Sequence, residues 1–523
     1  MQALISLLLI VLSIIGIADA GFITYEEINN IVPPCGNGFD CETVLTSKYA
    51  HIGPVPISAL GLMYYITMLV LSVLNYLDVN LQKVPFIKTN THLKRLSVID
   101  LLLLFSGLGF IFSLYLVILM AFILQAWCKY CLLSALSSTL LFVAVQFYHH
   151  KFSAHSAFIA KFLVLKKIHI LYGIFGKPLF FLFDPETVHD TITKTGRAMG
   201  TIPFFRFFTR LFFAFEHPVL RTKRNNITFN NPVGLSAGYD YEGDLTQIIP
   251  EVGFGFHTIG TVTLEPYAGN DKPRLGRFPN SKAILVNKGL KSIGADAIIK
   301  KLEKVTFHIP TGISIGSTNK GYHTDKEQIL DIVKCFSLFE KSSLKHSYYE
   351  MNISCPNTFG GEPFCSSDRL ESLLSALDKL KIKRPVFVKM PIDQSEKESL
   401  QLLKVIDKHA VQGLIIGNLT KDRDNPAVLP EDRKEWKKKK GNVSGKPTFE
   451  RSNRLISLAK KQYGNRFTII GTGGIFTAED AWKKMRLGAD LVQLITGMIF
   501  EGPASIGLIN RGLADKLLDK SAK

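Results

Sequence analysis

The residues best suited to chemistry in this sequence are thiols. Seven cysteines, at 35, 41, 128, 131, 335, 355 and 365, fall into two settings. Cys128 and Cys131 form a Cys-x-x-Cys in "WCKYCLLSA", beside a long apolar run. Such a pair at a helix start can cycle between dithiol and disulfide, because a helix N-terminus favours the thiolate. Cys35 and Cys41 lie in "CGNGFDCETVLTSKYAHIGPVPISALG", a loop whose thiols can exchange with the first pair. Two other readings stand beside redox cycling: a structural disulfide with a stray pair, and a zinc site if the loop pair docks permanently. Cys355 stands alone in "MNISCPNTFG", between a strand end and a Pro-Asn turn. With its pKa lowered, a thiolate there can take a proton from a substrate carbon. Cys335 and Cys365 read as structural or incidental.

Four apolar runs must position the N-terminal thiols: 3–19, 57–77, 98–124 and 131–148, each about the length a bilayer requires. The first also has the length of a cleaved signal peptide, but lacks a basic leader. Lys83, Lys88, Lys94 and Arg95 follow the second run; Lys151, Lys161, Lys166 and Lys167 follow the fourth. Positive residues stay inside, so all four N-terminal cysteines face outward, toward an oxidising compartment. The expectation is an integral membrane protein, with a quinone in the bilayer as electron acceptor. The net charge of +18 fits a face held against anionic lipid. No nucleic-acid motif accompanies it, so nucleic acid is not an expected partner.

Residues 150–183 mix apolar and basic side chains and read as an interfacial segment. The next stretch, 184–218, predicts helices with Asp184 as N-cap and Pro185 at the first helical position. Six phenylalanines between 204 and 213 read either as core or, the preferred reading, as a membrane-touching hood through which a lipid quinone enters.

Beyond 230, eight short apolar runs alternate with helical stretches: 232–238, 256–262, 311–317, 348–354, 385–391, 412–418, 467–473 and 491–497. Eight such units predict a (β/α)8 TIM barrel; a doubly wound open sheet is the alternative. In a barrel, chemistry gathers at the C-terminal strand ends. Those ends carry Ala237-Gly238, Thr261, Asn352 with Cys355 and Asn357, Lys389, Asn418, "GTGG" with Gly473 and Gly474, and Thr496-Gly497. Gly-rich turns at the last two strands suit phosphate, and a buried lysine suits negative charge on a reduced flavin. Between strands six and seven, the lysine-rich stretch 422–445 reads as a solvated or lipid-facing lid with Gly441 and Gly445 as hinges.

Two family resemblances rest on these motifs. Residues 1–150, with four spans, both cysteine pairs, Ser47 in "SKYA" and "GPVPISALG", resemble the vitamin K epoxide reductase family in its bacterial disulfide-forming form. The resemblance implies that Cys128/Cys131 face the quinone, that Cys35/Cys41 shuttle electrons, and that Ser47 shapes the site. The stretches "NPVGLSAGYD", "NISCPNT", "VKMPID", "GNVSGKP", "GTGGIFTAEDA" and "LVQLITGMIFEGP" resemble dihydroorotate dehydrogenase; "DPETVH" points to its quinone-dependent class. That resemblance implies FMN contacts at Ala237, Gly238, Thr261, Asn352, Lys389, Ser444, Gly445, Gly473, Gly474, Thr496 and Gly497. It implies substrate contacts at Asn287, Asn352, Asn357 and Asn418, with Cys355 as base. The sequence departs from the family at Tyr241, where the family has a carboxylate-binding lysine, and at Val286, Ser314 and Leu419. Lys288 or Lys291 is a candidate replacement cation.

Three segments are therefore expected: a transmembrane domain over 1–150, linker and membrane-associated helices over 151–220, and an FMN barrel over 221–515. The expected protein has two oxidoreductase heads. The barrel oxidises dihydroorotate to orotate, or oxidises a related small acid, and passes electrons to ubiquinone or menaquinone. The membrane head oxidises protein thiols, supplied by an exported thiol-disulfide oxidoreductase, with the same acceptor. Alternatives are heads coupled through the quinone, and a degenerate flavin-binding barrel.

Overall fold

The computed structural model describes residues 2–29, 31–36, 38–77, 97–152 and 156–521. They form two compact units, Met1–Leu163 and Val164–Lys523. The basic loop carrying Lys83, Lys88, Lys94 and Arg95 lies outside the described residues.

The first unit is built on four apolar helices: α1 (Gln2–Ile28), α2 (Ile57–Tyr76), α3 (Val98–Ile118) and α4 (Lys129–Phe152). Each contains a stretch long and apolar enough to cross a bilayer, and α3 continues as a π turn to Leu124. α1 runs to Ile28 rather than to 19, because Ala20, Ile23 and Thr24 extend its buried face. Leu9, Leu12 and Ala20 pack with Tyr65 and Met68 of α2, Leu102 of α3, and Leu141 and Val145 of α4. α1 is thus a structural member of the bundle, and its loss as a leader would open this core. Ser97 starts α3 with a capping box to Asp100.

In the second unit, all eight runs read from the sequence are strands: β1 (Val233–Leu235), β2 (Phe256–Val262), β3 (Thr311–Ile315), β4 (Tyr348–Asn352), β5 (Val386–Met390), β6 (Gly413–Ile416), β7 (Thr468–Thr472) and β8 (Leu491–Leu494). Each pairs in parallel with its neighbours in chain order, and β8 closes on β1. Closure rules out the open sheet. Side chains alternate between two cores. Tyr349, Met351, Val386 and Val388 face the surrounding helices. Phe256, Tyr348, Phe387, Ile415, Ile470 and Leu491 fill the interior, and Phe229 from the 222–229 hairpin joins them.

Before the barrel come α5 (Ser156–Leu171), α6 (Pro185–Thr201) and α7 (Pro203–Phe213). Asp184 caps α6 by accepting from the Thr187 amide, with Pro185 next, as the sequence predicts. The 172–181 stretch is helical and tied to the barrel: the Tyr172 hydroxyl donates to the Ile499 carbonyl at 2.7 Å. Over the barrel mouth, Leu275–Phe278, Ala283–Val286 and Asn442–Gly445 form an antiparallel sheet. The segment expected to be a lid is anchored there. Trp436 is fully buried, with Arg423 stacked on it at 4.3 Å, while the lysines of 437–440 stay largely exposed.

Candidate active site

On β4 the inward positions are Tyr348, Glu350 and Asn352; on β5 they are Phe387 and Lys389. The lower members pack the interior and the upper ones reach the C-terminal mouth. A cavity of about 550 Å³ opens there. All eleven cofactor candidates line it, from Ala237 to Gly497, together with Cys355, Asn357 and Asn418. Asn287 is not brought there. Its side chain accepts from Asn270 at 3.1 Å, and Val286 lines the wall instead. One residue of register separates the two positions, and on a strand that reverses the face.

The cavity has two ends. At the strand ends, Lys389 lies 3.2 Å from Glu350, a fully buried carboxylate. Asn352 donates to Thr261 at 2.9 Å, and Thr261 meets Ser314 at 3.0 Å. Asn418 donates to the Ser354 carbonyl at 2.6 Å. Asn357 is held by the Val286 carbonyl and by Asn442. At the end of β7 the chain turns through Gly473 and Gly474, both with positive φ (92° and 69°). A Cβ on Gly474 would stand 2.6 Å from the Phe449 Cβ, so only glycine gives this turn. Ser444 and Thr496 hydroxyls meet beside it at 2.9 Å. The other end is apolar, lined by Phe180, Phe181, Val188, Ile192, Met199 and Phe213 from the helices before the barrel.

Cys355 faces the cavity half-buried, and burial pushes its thiol up to about 11, against the Asn357 amide and the Lys389 charge. This reverses the depressed value expected for a thiolate base: apolar surroundings outweigh one lysine already paired with Glu350.

Four residues were not singled out as a group from sequence. Glu186, in the first turn of α6, accepts from Arg274 at 3.0 Å and from Lys288 at 2.7 Å. All three are buried. Burial alone would raise the Glu186 carboxyl, but the two cations hold it at about 2. Lys288 lines the cavity and sits 5.3 Å from the centre of the Tyr241 ring; Lys291 does not line it. Burial lowers Lys288 and its bond to Glu186 opposes that. His189 joins the same corner, bonded to the Tyr239 carbonyl at 2.8 Å. The "DPETVH" motif marked the helix, but its partners lie about 90–100 residues away in sequence and meet it only in the fold.

The first unit holds the other thiol site. Cys35 and Cys41 are disulfide-bonded; Cys128 and Cys131 are free. The loop pair is joined to each other, and among the described residues no cluster of His, Cys, Asp and Glu is arranged to hold a metal ion. Asp40 caps the short helix Cys41–Leu45. The Asp40 amide donates to the Trp127 carbonyl at 2.9 Å, and the Tyr130 hydroxyl to the Pro34 carbonyl at 3.1 Å. These bonds clamp the loop over α4, and Cys41 and Cys128 share one apolar cluster with Val44, Met120 and Ala126. The Cys131 amide donates to Cys128 Sγ at 3.3 Å. Hydrogen bonding from Cys131 lowers the Cys128 pKa, against burial. Ser47 bonds its hydroxyl to the Val44 carbonyl at 2.8 Å, bracing the same helix.

The closed parallel barrel, with its cavity at the C-terminal strand ends, makes the second unit a (β/α)8 barrel with the site at the end where such barrels carry their chemistry. The family model described as dihydroorotate dehydrogenase matches residues 219–517, and that of the vitamin K epoxide reductase family matches 7–146. A dihydroorotate dehydrogenase (quinone) of Rippkaea orientalis is 38% identical over 296 residues, covering 56% of this chain and 78% of that protein. One of Rhizobium etli is 35% identical over 349 residues, covering 65% and 90%. The crystal structure of the Eimeria tenella enzyme in complex with ferulenol superposes with a TM-score of 0.57 at 27% identity, covering 64% and 92%. The chain belongs to the dihydroorotate dehydrogenase family, here joined to a vitamin K epoxide reductase-family unit.

Proposed function

We propose that the barrel is an FMN-dependent dehydrogenase oxidising dihydroorotate to orotate with a membrane quinone, ubiquinone or menaquinone, as acceptor. The observation that carries this is a single cavity joining Lys389, Cys355 and three asparagines to an apolar passage under the hood helices. The residues present fit FMN: the Gly473-Gly474 turn, with Ser444 and Thr496, suits its phosphate, and Lys389 sets a buried positive charge in the cavity. Bound there, FMN would supply a hydride acceptor for the substrate and an electron donor for the quinone. Cys355 takes the substrate C–H proton on its sulfur. Asn352, Asn357 and Asn418 orient substrate amide groups. The apolar passage admits the quinone ring and excludes water.

Tyr241 leaves the expected substrate cation missing, and Lys288 beside it supplies one. A small acid other than dihydroorotate is the second reading, favoured by that same departure. Dihydroorotate-dependent reduction of a short-chain quinone by the purified chain tests the first; no reduction, with flavin retained, rejects it.

In the membrane unit, we infer thiol oxidation: an exported thiol-disulfide oxidoreductase reduces Cys35–Cys41, exchange moves the electrons to Cys128/Cys131, and quinone removes them. The docking of Cys41 beside Cys128 supports this path. The cysteine loop would face outside and the barrel the cytoplasm of a bacterial inner membrane, both heads drawing on one quinone pool.

A further inference from the structure

One buried carboxyl oxygen in the membrane unit is left without a hydrogen bond. Asp19 of α1 is 7% exposed, and its Oδ2 makes no hydrogen bond among the described residues. An ionisable group in a spanning helix is costly, so one left unpartnered calls for a function.

Its position is set by a layer below it. The Tyr65 ring of α2 lies against Gly16 of α1, and the Tyr65 hydroxyl bonds the Ser134 carbonyl of α4 at 2.7 Å and the Ser134 hydroxyl at 3.0 Å. Gly16, Tyr65 and Ser134 therefore share one level. α1 and α4 run in opposite directions. Asp19 is three residues beyond Gly16, and Cys131 three residues before Ser134, so both stand one turn above that level toward the loop. Asp19 is also close enough for its charge to act on Cys128.

The Cys128/Cys131 pair has a proton problem there. Cys128 Sγ accepts from the Cys131 amide and is the sulfur favoured as thiolate, which makes Cys131 the thiol whose proton must be removed in this step. Oxidation of the pair by a quinone forms one S–S bond and moves two electrons to the quinone, which takes up two protons to become quinol. With Cys128 as the thiolate the pair supplies one of them, from the Cys131 thiol in an apolar bundle core, and the other comes from solvent.

We propose that Asp19 is the proton acceptor for Cys131 in this step and returns the proton to the reduced quinone oxygen. This rests on the thiol–quinone reading above. Among the described residues, Tyr65, Cys128 and Cys131 are titratable groups within electrostatic reach of Asp19; Tyr65, held by Ser134, fixes the level at which the carboxyl sits.

The test uses the full chain in lipid nanodiscs, reduced, freed of reductant and mixed with a short-chain benzoquinone. Acid quenching and maleimide labelling then follow Cys128–Cys131 disulfide formation. A second mixing, of protein oxidised at Cys128–Cys131 with a reduced dithiol peptide, follows exchange through Cys35/Cys41. For Asp19→Asn the quinone step slows at least tenfold while exchange keeps its rate, and Asp19→Glu restores most of the quinone step. An unchanged quinone step in Asp19→Asn overturns the proposal. So does equal loss of both steps that Asp19→Glu fails to restore, which marks a purely structural role. If wild-type protein forms no Cys128–Cys131 disulfide with quinone, the thiol–quinone reading itself fails, and the proposal with it.

Discussion

Glu186 of the hood helix and Lys288 beside the barrel mouth meet at 2.7 Å, and Arg274 shares the same carboxylate at 2.9 Å. Of these three buried groups Lys288 lines the cavity, beside Tyr241, and sets a positive charge there. A substrate carboxylate fits it. Lys288→Met should raise KM for dihydroorotate by about tenfold or more, the worth of a buried charge-assisted hydrogen bond, with FMN content unchanged. Steady-state kinetics with flavin quantitation checks this; an unchanged KM removes Lys288 from the site.

The same corner carries an acid sensitivity. The folded pKa of Glu186 is depressed from 4.5 to about 2, so its contribution to stability is complete above 4.5 and disappears as pH falls through about 2. Glu186→Gln should remove that part of the acid dependence and lower the melting temperature at neutral pH, since two buried cations then lose their counter-charge. Thermal melts from pH 2 to 7 read both.

Cys355, held near 11 by burial, is almost wholly protonated at neutral pH. The rate of flavin reduction by substrate should therefore climb about tenfold per pH unit from 7 and level off only near the thiol pKa. Cys355→Ala should lose about a hundredfold or more and flatten the profile. Stopped-flow absorbance across pH gives the slope; a flat wild-type profile would assign the base elsewhere.

Lys389 and Glu350 form a buried pair, and breaking such a pair from one side costs about 3–5 kcal/mol. Lys389→Ala should release flavin at a markedly lower temperature, and adding Glu350→Gln should recover part of the loss. Flavin fluorescence on heating measures it.

Phe204 and Phe207 of α7 are each 62% exposed. If this face enters lipid, replacing both by Ser should cut turnover with a long-chain quinone in vesicles about tenfold, each Phe being worth about 1.5–3 kcal/mol on burial. Turnover with a water-soluble quinone should be unchanged.

The barrel was legible in sequence because its strands are short Val/Ile runs buried on both faces, a signal that needs no partner to be read. The strand-end residues followed from topology alone, as Lys389 and Gly473 illustrate. Asn287 misled because a single residue of register moves a side chain off the cavity, and no local pattern fixes that register. The end of α1 was missed because Asp19 interrupts the apolar run while the helix continues. The Glu186–Arg274–Lys288 cluster was hidden because it joins segments far apart in the chain. The raised Cys355 pKa depends on how apolar atoms close around it, which spacing does not encode.

The most direct measurement is an anaerobic titration of the purified protein with dihydroorotate, followed by flavin absorbance. The prediction is bleaching of a bound flavin by wild type, and bleaching at least about a hundredfold slower by Cys355→Ala at the same flavin content. A wild-type flavin that stays oxidised at saturating dihydroorotate would contradict the assignment of this substrate to the barrel.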